Sequence, residues 1–366
     1  MGKKVLALSL YPAPYRQELF NLFENAFSAD VFFEHSGGDE RESSWFSKGN
    51  YYLIDSDEGF NRFKEAKKHL KQYDLVLFYE FSTKKSVQLI IKCILKRIPY
   101  VINCDGVMLS PHGNPIFDIV KRFLVSHASA CLASGENAKK YFLKYGAKED
   151  RIFTHTFSTL HDGDILKLPP NSSEKADIRR RLCLSTDKFI CVAVGRFIPL
   201  KRYAELITEW RNMPKSHILL LIGSGTEEQR YRDIIEEHGI NNVIIEKFHP
   251  KDELFEYYKA ADVFVHPTSY DVWGLVINEA FACGLPAVAS DHCVAALELI
   301  KDGENGYKVP MGDDKLMCDK VSKICADESF KAKMSGSALE TIKHYTIENM
   351  AATHIKVFKE LINSDN

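Results

Sequence analysis

Residues 189–195 read Phe-Ile-Cys-Val-Ala-Val-Gly and residues 218–225 read Ile-Leu-Leu-Leu-Ile-Gly-Ser-Gly, two short apolar runs that lead into glycine. Stretches with helical periodicity follow both runs. The alternation continues through further apolar runs at 243–245, 263–265 and 287–289. Short, uninterrupted apolar strands that alternate with helices are typical of a parallel sheet covered on both faces. The second half of the chain is therefore predicted to be a doubly wound α/β domain.

The first half of the chain follows the same rhythm. Apolar strands are predicted near 4–10, 30–34, 74–79, 99–103 and 129–133, with helices between them. We therefore predict one doubly wound domain over residues 1–168 and another over residues 174–345, which agrees with a length of 366 residues. The hinge is expected within 168–173, where the apolar periodicity stops and turn residues cluster. Residues 346–366 are predicted to form the last helix.

The composition excludes several classes of protein. The 48 Lys and Arg residues nearly balance the 50 Asp and Glu residues, so no overall field favours nucleic acid. The 9 cysteines include no CxxC pair, which favours reduced thiols over disulfides or a zinc site. The apolar run at 5–10 is shorter than a signal peptide requires, and no run approaches the length of a membrane span. We expect a cytoplasmic protein.

Two long connections interrupt the alternation, at residues 36–58 and 104–114. Long connections in doubly wound domains usually lie at the carboxyl ends of strands, where ligands bind. The first connection contains four aromatic residues, Trp45, Phe46, Tyr51 and Tyr52. For that segment, a surface loop that packs its own aromatic side chains is an equally good interpretation.

Two cations lie in the turn that follows the strand at 189–194. Gly195 ends the strand, and Arg196 and Lys201 follow before the next helix. A strand-to-helix turn presents backbone N–H groups and the positive end of a helix dipole. A guanidinium and an ammonium that converge there suit a diphosphate. The alternative is that both are solvated cations near the start of a helix.

Two carboxylates flank the start of another predicted helix. Asp271 precedes its first turn, and Glu279 lies further along among mostly apolar neighbours. The backbone amides of Gly274, Leu275 and Val276 would hold a phosphate, while the carboxylates would accept hydrogen bonds from sugar hydroxyls. Alternatively, Asp271 only complements the helix dipole and Glu279 is a surface charge. An acidic residue in an apolar helix needs polar partners, which favours the ligand-binding interpretation.

These motifs stand in the order and spacing of retaining glycosyltransferase family 4, which the sequence resembles over about residues 189–310. The stretches that carry the resemblance are Gly195 to Lys201, Gly223 to Gly225, His266 to Ser269, Asp271 to Glu279 and Glu298 to Gly306. The resemblance implies the GT-B fold, in which two Rossmann-like domains face each other across a cleft and the last helix crosses back to the first domain. It also implies a nucleoside-diphosphate sugar as donor, held mostly by the second domain.

The resemblance further implies roles for individual residues. Arg196 and Lys201 would hold the donor diphosphate. Glu279 would bind the ribose hydroxyls, and Asp271 would lie near the transferred sugar. The other predicted donor-binding residues lie in the same motifs and are Gly195, Gly223, Gly225, Trp273, Gly274, Leu275 and Val276.

The chain departs from the family pattern at three places. Asp271 stands where the family usually has Glu, which shortens the reach of the carboxylate. Residues 11–16 replace a Gly-Gly loop whose amides touch the phosphates in many members, and Arg16 there either supplies charge or lies on a helix surface. Asp105 occupies the place where members often have a His near the donor sugar. We predict Asp105 to be a catalytic residue, with a turn-forming Asp-Gly as the alternative.

Other motifs carry less weight. Residues 223–228 begin like GxGxxG, but Glu228 replaces the third glycine, so a dehydrogenase is poorly supported. The Asp-x-Asp sequences at 55–57 and 162–164 have the form that other glycosyltransferases use with a divalent metal, yet neither follows a convincing buried strand. Because Arg196 and Lys201 can neutralise a diphosphate, we predict no metal ion and no cofactor.

The residues and the resemblance together predict a hexosyltransferase that acts with retention on a UDP- or GDP-linked donor. The expected acceptor is a saccharide or a lipid-linked molecule in the synthesis of a bacterial surface polysaccharide or glycolipid. The alternative is a non-catalytic partner subunit of the same fold that binds nucleotide sugar or glycan. The helix at 83–97 combines basic and apolar residues, and is either a peripheral membrane contact or a domain helix with a solvated basic edge.

Overall fold

The computed structural model of the protein describes residues 3–37, 49–109 and 115–364. Within the predicted long connections, Trp45, Phe46 and residues 110–114 lie outside these ranges. The chain divides into two compact units, Met1–Thr159 with Thr346–Asn366, and Leu160–Tyr345.

The first unit is an α/β unit built on one sheet. Its elements up to residue 154 are, in chain order, β1 (Lys4–Ser9), α1 (Pro14–Phe23), β2 (Ser28–Phe33), β3 (Tyr52–Leu53), α2 (Asp57–Lys68), β4 (Leu75–Phe78), α3 (Lys84–Lys96), β5 (Tyr100–Cys104), α4 (Pro115–Ser126), β6 (Ala130–Ala133), α5 (Glu136–Lys144) and β7 (Ile152–Thr154).

The strands of the first unit are parallel and stand in the order β3-β2-β1-β4-β5-β6-β7. The strands β4 and β6 are buried along their whole length, as expected for a parallel sheet covered on both faces. Local signals set the helix ends: the Thr83 side chain accepts the Ser86 N–H at the start of α3. The strand order reverses between β1 and β4, so a crevice opens there at the carboxyl edge of the sheet.

The second unit repeats this architecture. Its elements are α6 (Ser172–Arg181), β8 (Phe189–Val194), α7 (Tyr203–Trp210), β9 (His217–Ile222), α8 (Glu228–Glu237), β10 (Val243–Glu246), α9 (Lys251–Ala260), β11 (Val263–His266), α10 (Leu275–Ala282), β12 (Ala287–Ser290), α11 (Val294–Leu299), β13 (Gly306–Val309), α12 (Asp314–Cys325) and α13 (Glu328–Ile342). The parallel strands stand in the order β10-β9-β8-β11-β12-β13, with the reversal between β8 and β11.

The structure divides the chain earlier than the hinge predicted within 168–173. The Leu166 N–H donates to the carbonyl oxygen of Ala282 at 2.9 Å, which ties the segment after residue 159 to the second unit. Asn171, predicted to be a turn residue, begins α6 because its side chain accepts the N–H groups of Ser173 and Glu174. Turns and helix caps use the same residue types, so composition alone puts the boundary too late.

The last helix, α14 (Ile347–Ser364), belongs to the first unit. Phe358 is fully buried, and its ring centroid lies 5.5 Å from that of Phe23 in α1. The side chain of His354 is buried in the same contact. In the part of the chain that the structure describes, no helix combines the length and the apolar character that crossing a bilayer requires.

Candidate functional site

The predicted donor loops meet where the strand order of the second sheet reverses. The strands β8 and β11 are neighbours, but the next strands along the chain lie on opposite sides of this pair. The connections that leave β8 and β11 therefore diverge and open a crevice at the carboxyl edge of the sheet, where doubly wound domains bind ligands. Lys201 follows β8, and His266 is the last residue of β11.

The turn after β8 lies directly against the turn after β9. The Gly195 N–H donates to the carbonyl oxygen of Ile222 at 3.0 Å. A Cβ atom on Gly223 would lie 2.0 Å from the carbonyl oxygen of Gly195, and one on Gly225 would lie 2.4 Å from that of Phe197. The two backbones approach this closely because neither residue has a side chain. The glycines predicted for the donor site therefore shape the crevice wall.

Lys201 ends a 3-10 turn, Pro199–Lys201, and binds a carboxylate from the loop after β11. Its ammonium donates to Oδ2 of Asp271 at 2.6 Å, and both side chains are largely buried. The fully buried imidazole of His266 brings Nε2 to 3.3 Å from the same oxygen. One carboxylate oxygen is thus held between an ammonium and an imidazole.

Lys201 and His266 both stabilise the negative charge of Asp271. Burial acts to raise the pKa of Asp271, but the contacts with His266 and Lys201 outweigh it and hold that pKa well below its usual range. Burial and the positive charge of Lys201 lower the pKa of His266. The imidazole is therefore neutral at pH 7 and donates its Nε2–H to the carboxylate. Its Nδ1 has no hydrogen-bond partner among the described residues.

Arg196 lies in the same turn, with its side chain exposed. The ammonium of Lys201 is engaged by Asp271 in this structure. The convergence of the two cations on one anion accordingly stays a prediction.

The helix α10 begins at the far side of the crevice. Gly274 precedes it with a φ of 99°, and a Cβ there would lie 2.4 Å from Sγ of Cys293. Leu275 and Val276 form its first turn and are half-buried; the N–H groups of a first turn have no intrahelical acceptors. Trp273 is buried, and its Nε1–H donates to Oδ1 of Asn278 at 3.0 Å. The indole of Trp273, predicted to bind the donor, thus packs within the protein.

Glu279 lies on α10 with its carboxylate facing Tyr258 of α9. The Tyr258 hydroxyl donates to Oε2 of Glu279 at 2.9 Å. Burial raises the pKa of Glu279 to about 7, and this hydrogen bond compensates only in part. A carboxyl group whose pKa lies near 7 inside an apolar helix is stabilised in its ionised form by further hydrogen-bond donors. The paired hydroxyls of a ribose are such donors.

Three side chains of this cluster are of types that bind metals. The ligand atoms of His266, Asp271 and Cys293 lie within 4.8 Å of one another. Lys201 already supplies a positive charge to Asp271 at 2.6 Å. The Cys293 thiol donates to the carbonyl oxygen of Trp273 at 3.0 Å, and burial raises its pKa to about 12, so the metal-binding thiolate is disfavoured. The chemistry of this set favours an ion-pair cluster over a metal site.

The Asp-x-Asp sequence at 162–164 has a local role. Asp164 accepts the His161 N–H at 2.7 Å and pairs with Lys251 at 2.6 Å. Its carboxylate is therefore part of a short turn of the second unit, where these two contacts account for it.

In the first unit, Asp105 lies after β5 in a cluster at the carboxyl edge of that sheet. It pairs with Arg16 of α1, whose side chain is buried. The Asn103 side chain donates to Oδ1 of Asp105 at 2.6 Å, and His354 of α14 lies 3.3 Å from Oδ1 of Asn103. Burial acts to lower the pKa of Arg16, but the charge of Asp105 acts in the opposite direction, and the pKa of Arg16 is raised overall. Arg16 is thus a buried cation, and Asp105 is its counter-ion rather than only a turn residue.

Several polar atoms around Arg16 have no hydrogen-bond partner among the described residues. The guanidinium lies 4.1 Å from the ring centroid of Tyr79, which follows β4. The atoms concerned are Nη1 of Arg16, the Tyr79 hydroxyl, Oγ of Ser134 and both ring nitrogens of His155. Buried polar groups are normally satisfied, so this cluster is poised to accept hydrogen bonds from water or a ligand and to donate them.

Comparison with known proteins shows the same fold and a related second unit. Residues 174–341 match the family described as glycosyl transferases group 1. The structure of HepE from Anabaena in complex with UDP is similar over 100% of this chain and 99% of its own, with a TM-score of 0.76 and 18% sequence identity. The fold is that of the GT-B glycosyltransferases.

Two curated glycosyltransferases are similar to this GT-B chain. A D-inositol 3-phosphate glycosyltransferase of Xylanimonas cellulosilytica is 26% identical over 275 residues, which are 73% of this chain. The chain spans only 64% of the length of that relative. The amylovoran biosynthesis glycosyltransferase AmsD of Erwinia amylovora is 22% identical over 325 residues, which are 86% of this chain and 87% of AmsD.

Sequence reasoning misses residues that complete the clusters around Asp271 and around Arg16. His266 stands out only as part of a motif, although its place at the carboxyl end of a buried strand is a usable signal. Tyr258 reaches Glu279 from α9, and Cys293 reaches Trp273 from the segment before α11; no local pattern marks either residue. His354 comes from the far end of the chain.

Proposed function

We propose that this protein is a retaining hexosyltransferase that transfers a sugar from a UDP- or GDP-linked donor without a metal ion. The observation that carries the proposal is the contact of Lys201 with Asp271 in the crevice of a unit that matches group 1 glycosyl transferases. A cation, a carboxylate and the start of α10 meet there at the ligand-binding edge of the sheet.

Departure of the anionic nucleoside diphosphate is the step at which most stabilisation is needed. Lys201 carries three N–H donors and uses one on Asp271, so it can also donate to a phosphate oxygen. Arg196 adds a guanidinium from the same turn, and the first turn of α10 adds backbone N–H groups. Together they take up the charge that develops on the leaving group.

Asp271 acts on the other side of the broken bond. The anomeric carbon gains positive charge as the leaving group departs, and a carboxylate with a lowered pKa stays ionised beside it. His266 holds that carboxylate in place as a positioning residue. Retention is proposed on the resemblance to family 4.

Glu279 binds the ribose of the donor in this proposal. An ionised carboxylate accepts hydrogen bonds from both ribose hydroxyls, as the acidic residue of other nucleotide sites does. HepE, which shares the fold, was crystallised with UDP, and this supports uridine as the donor base.

The acceptor is assigned to the first unit. The cluster around Arg16 and Asp105 offers a cation, hydroxyls and imidazole nitrogens to the polar groups of a saccharide or lipid-linked acceptor. AmsD serves amylovoran biosynthesis, and the similarity to AmsD supports a role in a bacterial surface polysaccharide or glycolipid. We place the reaction in the cytoplasm, with the enzyme in peripheral contact with the membrane.

Two substitutions test the leaving-group role. Lys201→Ala and Arg196→Ala should each lower kcat by about a hundredfold, because each removes a donor that binds most strongly in the transition state. Lys215→Ala and Arg211→Ala, on exposed side chains of the same unit, serve as matched controls. Near-normal rates for both test variants would contradict the mechanism.

A panel of UDP and GDP sugars, screened by the rise in melting temperature, selects the donor for these assays. Transfer or donor hydrolysis by the purified chain is then measured with the selected sugar. If the chain binds a nucleotide sugar but shows no turnover with any acceptor tested, the result would instead support the non-catalytic partner subunit.

A further inference from the structure

Four adjacent strands of the first sheet each lead directly into a polar residue. Tyr79 follows β4, Asp105 follows β5, Ser134 follows β6 and His155 follows β7. The strands are parallel neighbours in the order β4-β5-β6-β7, so these residues lie along one stretch of the carboxyl edge. Arg16 of α1 joins them through its ion pair with Asp105. These five residues form a group that we call the edge cluster.

The edge cluster contains both donors and acceptors that are not used within the protein. Five of its buried atoms have no hydrogen-bond partner among the described residues: Nη1 of Arg16, the hydroxyls of Tyr79 and Ser134, and both ring nitrogens of His155. The Arg16 nitrogen can only donate, whereas a hydroxyl and a neutral imidazole each donate and accept. Buried groups of this kind cost free energy when they stay unsatisfied. The cluster is therefore complementary to a group that both donates and accepts hydrogen bonds.

The edge cluster carries no net charge. Arg16 is a buried cation, and the carboxylate of Asp105 neutralises it within the cluster. Burial lowers the pKa of His155 well below its usual value, and nearby His354 and Arg16 lower it as well. Burial also lowers the pKa of His354 to about 3, so both imidazoles are neutral at pH 7. The Tyr79 hydroxyl stays protonated because burial raises its pKa.

An anionic group fits this cluster poorly. A carboxylate or a phosphodiester accepts hydrogen bonds and donates none, so the unprotonated nitrogen of His155 would face a negative charge. Such a group would also add a charge to a buried ion pair that is already neutral. A sugar hydroxyl carries no charge and both donates and accepts. Adjacent sugar hydroxyls therefore satisfy the cluster better than an anion does.

We propose that the edge cluster selects an uncharged hexose as the acceptor sugar and rejects a sugar that carries a carboxylate or a phosphate. The inference rests on the proposed function, which assigns the acceptor to this part of the first unit, and it adds the charge of the sugar that is accepted. Ser134 and His155 contact this sugar. Asp105 sets the preference because it neutralises Arg16.

Matched pairs of sugars test the selection. The methyl glycosides of glucose, galactose and mannose are each compared with the corresponding methyl uronoside, in which a carboxylate replaces the primary alcohol. Saturation-transfer NMR on the UDP-bound protein measures their binding and does not require turnover. The wild type should bind the uncharged member of at least one pair about tenfold more tightly than its uronoside.

Two variants separate charge from hydrogen bonding. Asp105→Asn frees the charge of Arg16 at nearly constant side-chain size, so this variant should prefer the uronoside. Asp150→Asn, at an exposed residue of the same unit, should keep the wild-type preference. Ser134→Ala should weaken binding of the uncharged sugar about fivefold and leave the affinity for UDP unchanged. If Asp105→Asn has lost its thermal transition, Ser134→Ala and the wild-type preference decide.

The outcomes distinguish this inference from the proposed function. Equal binding of both members of every pair, or a wild-type preference for uronosides, would overturn the inference even if the protein transfers sugar from a nucleotide donor. Binding of UDP without binding of any sugar in the panel would show that the cluster holds only water, and would overturn it too. A wild type that prefers uncharged sugars but does not bind UDP would overturn the proposed function alone.

Discussion

Replacing Glu279 by Gln should stabilise the protein and weaken donor binding at the same time. Burial raises the pKa of Glu279 from 4.5 to about 7 in the folded protein. The folded state therefore binds a proton that the unfolded state releases, and the stability of the wild type falls as the pH rises from about 4.5 to about 7. A shift of this size corresponds to about 3 kcal/mol. Gln carries no charge and still accepts the Tyr258 hydroxyl.

Urea unfolding at several pH values measures this difference. The stability gain of Glu279→Gln over the wild type should grow from about 1 kcal/mol at pH 5 to about 3 kcal/mol at pH 8. Glu236→Gln, at an exposed residue of α8, should change stability at neither pH.

The affinity for UDP should fall about tenfold in Glu279→Gln at pH 8, because a charged acceptor is lost. In the wild type, UDP affinity should decrease as the pH falls below about 7. A variant that is destabilised at pH 8, or equal to the wild type at every pH, would refute the reasoning. Groups of the protein itself would then stabilise the negative charge of Glu279, and no ligand would be needed for this.

Two further results are expected. Asp262 is buried against Arg179, Lys175 and Lys331. Its replacement by Asn should lower the free energy of unfolding by about 3–5 kcal/mol, because the buried cations lose their counter-ion. These cations lower the pKa of Asp262 to about 2. The contribution of its carboxylate to stability is therefore present at neutral pH and lost as the pH falls towards 2. Urea unfolding at pH 7 and pH 3 checks both points. Removal of divalent ions with EDTA should leave turnover unchanged, since Lys201 takes the place of a metal, and a strict requirement for Mg²⁺ or Mn²⁺ would contradict this.

The sequence is informative where chemistry lies in continuous segments. The turn that carries Lys201 and the segment from Asp271 to Glu279 each follow a buried strand, and parallel strands bring their carboxyl ends to one edge. The alternation of strands and helices is therefore enough to predict that these residues lie together. The alternation also predicts most of the strands, although short strands such as β3 and β7 have too few residues to show a pattern.

The rest depends on contacts between distant segments. In the sequence, Arg16 fits a helix surface as well as it fits a binding site. Only its ion pair with Asp105, which follows β5, identifies it as a buried cation. The helix α4 leaves apolar side chains such as Ile116 and Phe117 exposed, and this escapes prediction for a related reason. Apolar residues in a helix show that one face is apolar, but the sequence does not say whether the domain covers that face.

The place of α14 in the first unit has a consequence for synthesis. Residues 347–364 leave the ribosome only after the whole second unit has been translated, yet Phe358 covers the ring of Phe23 near the start of the chain. The first unit must therefore wait with that aromatic patch open to solvent while the second unit is added, and nascent chains at this stage are natural clients for chaperones.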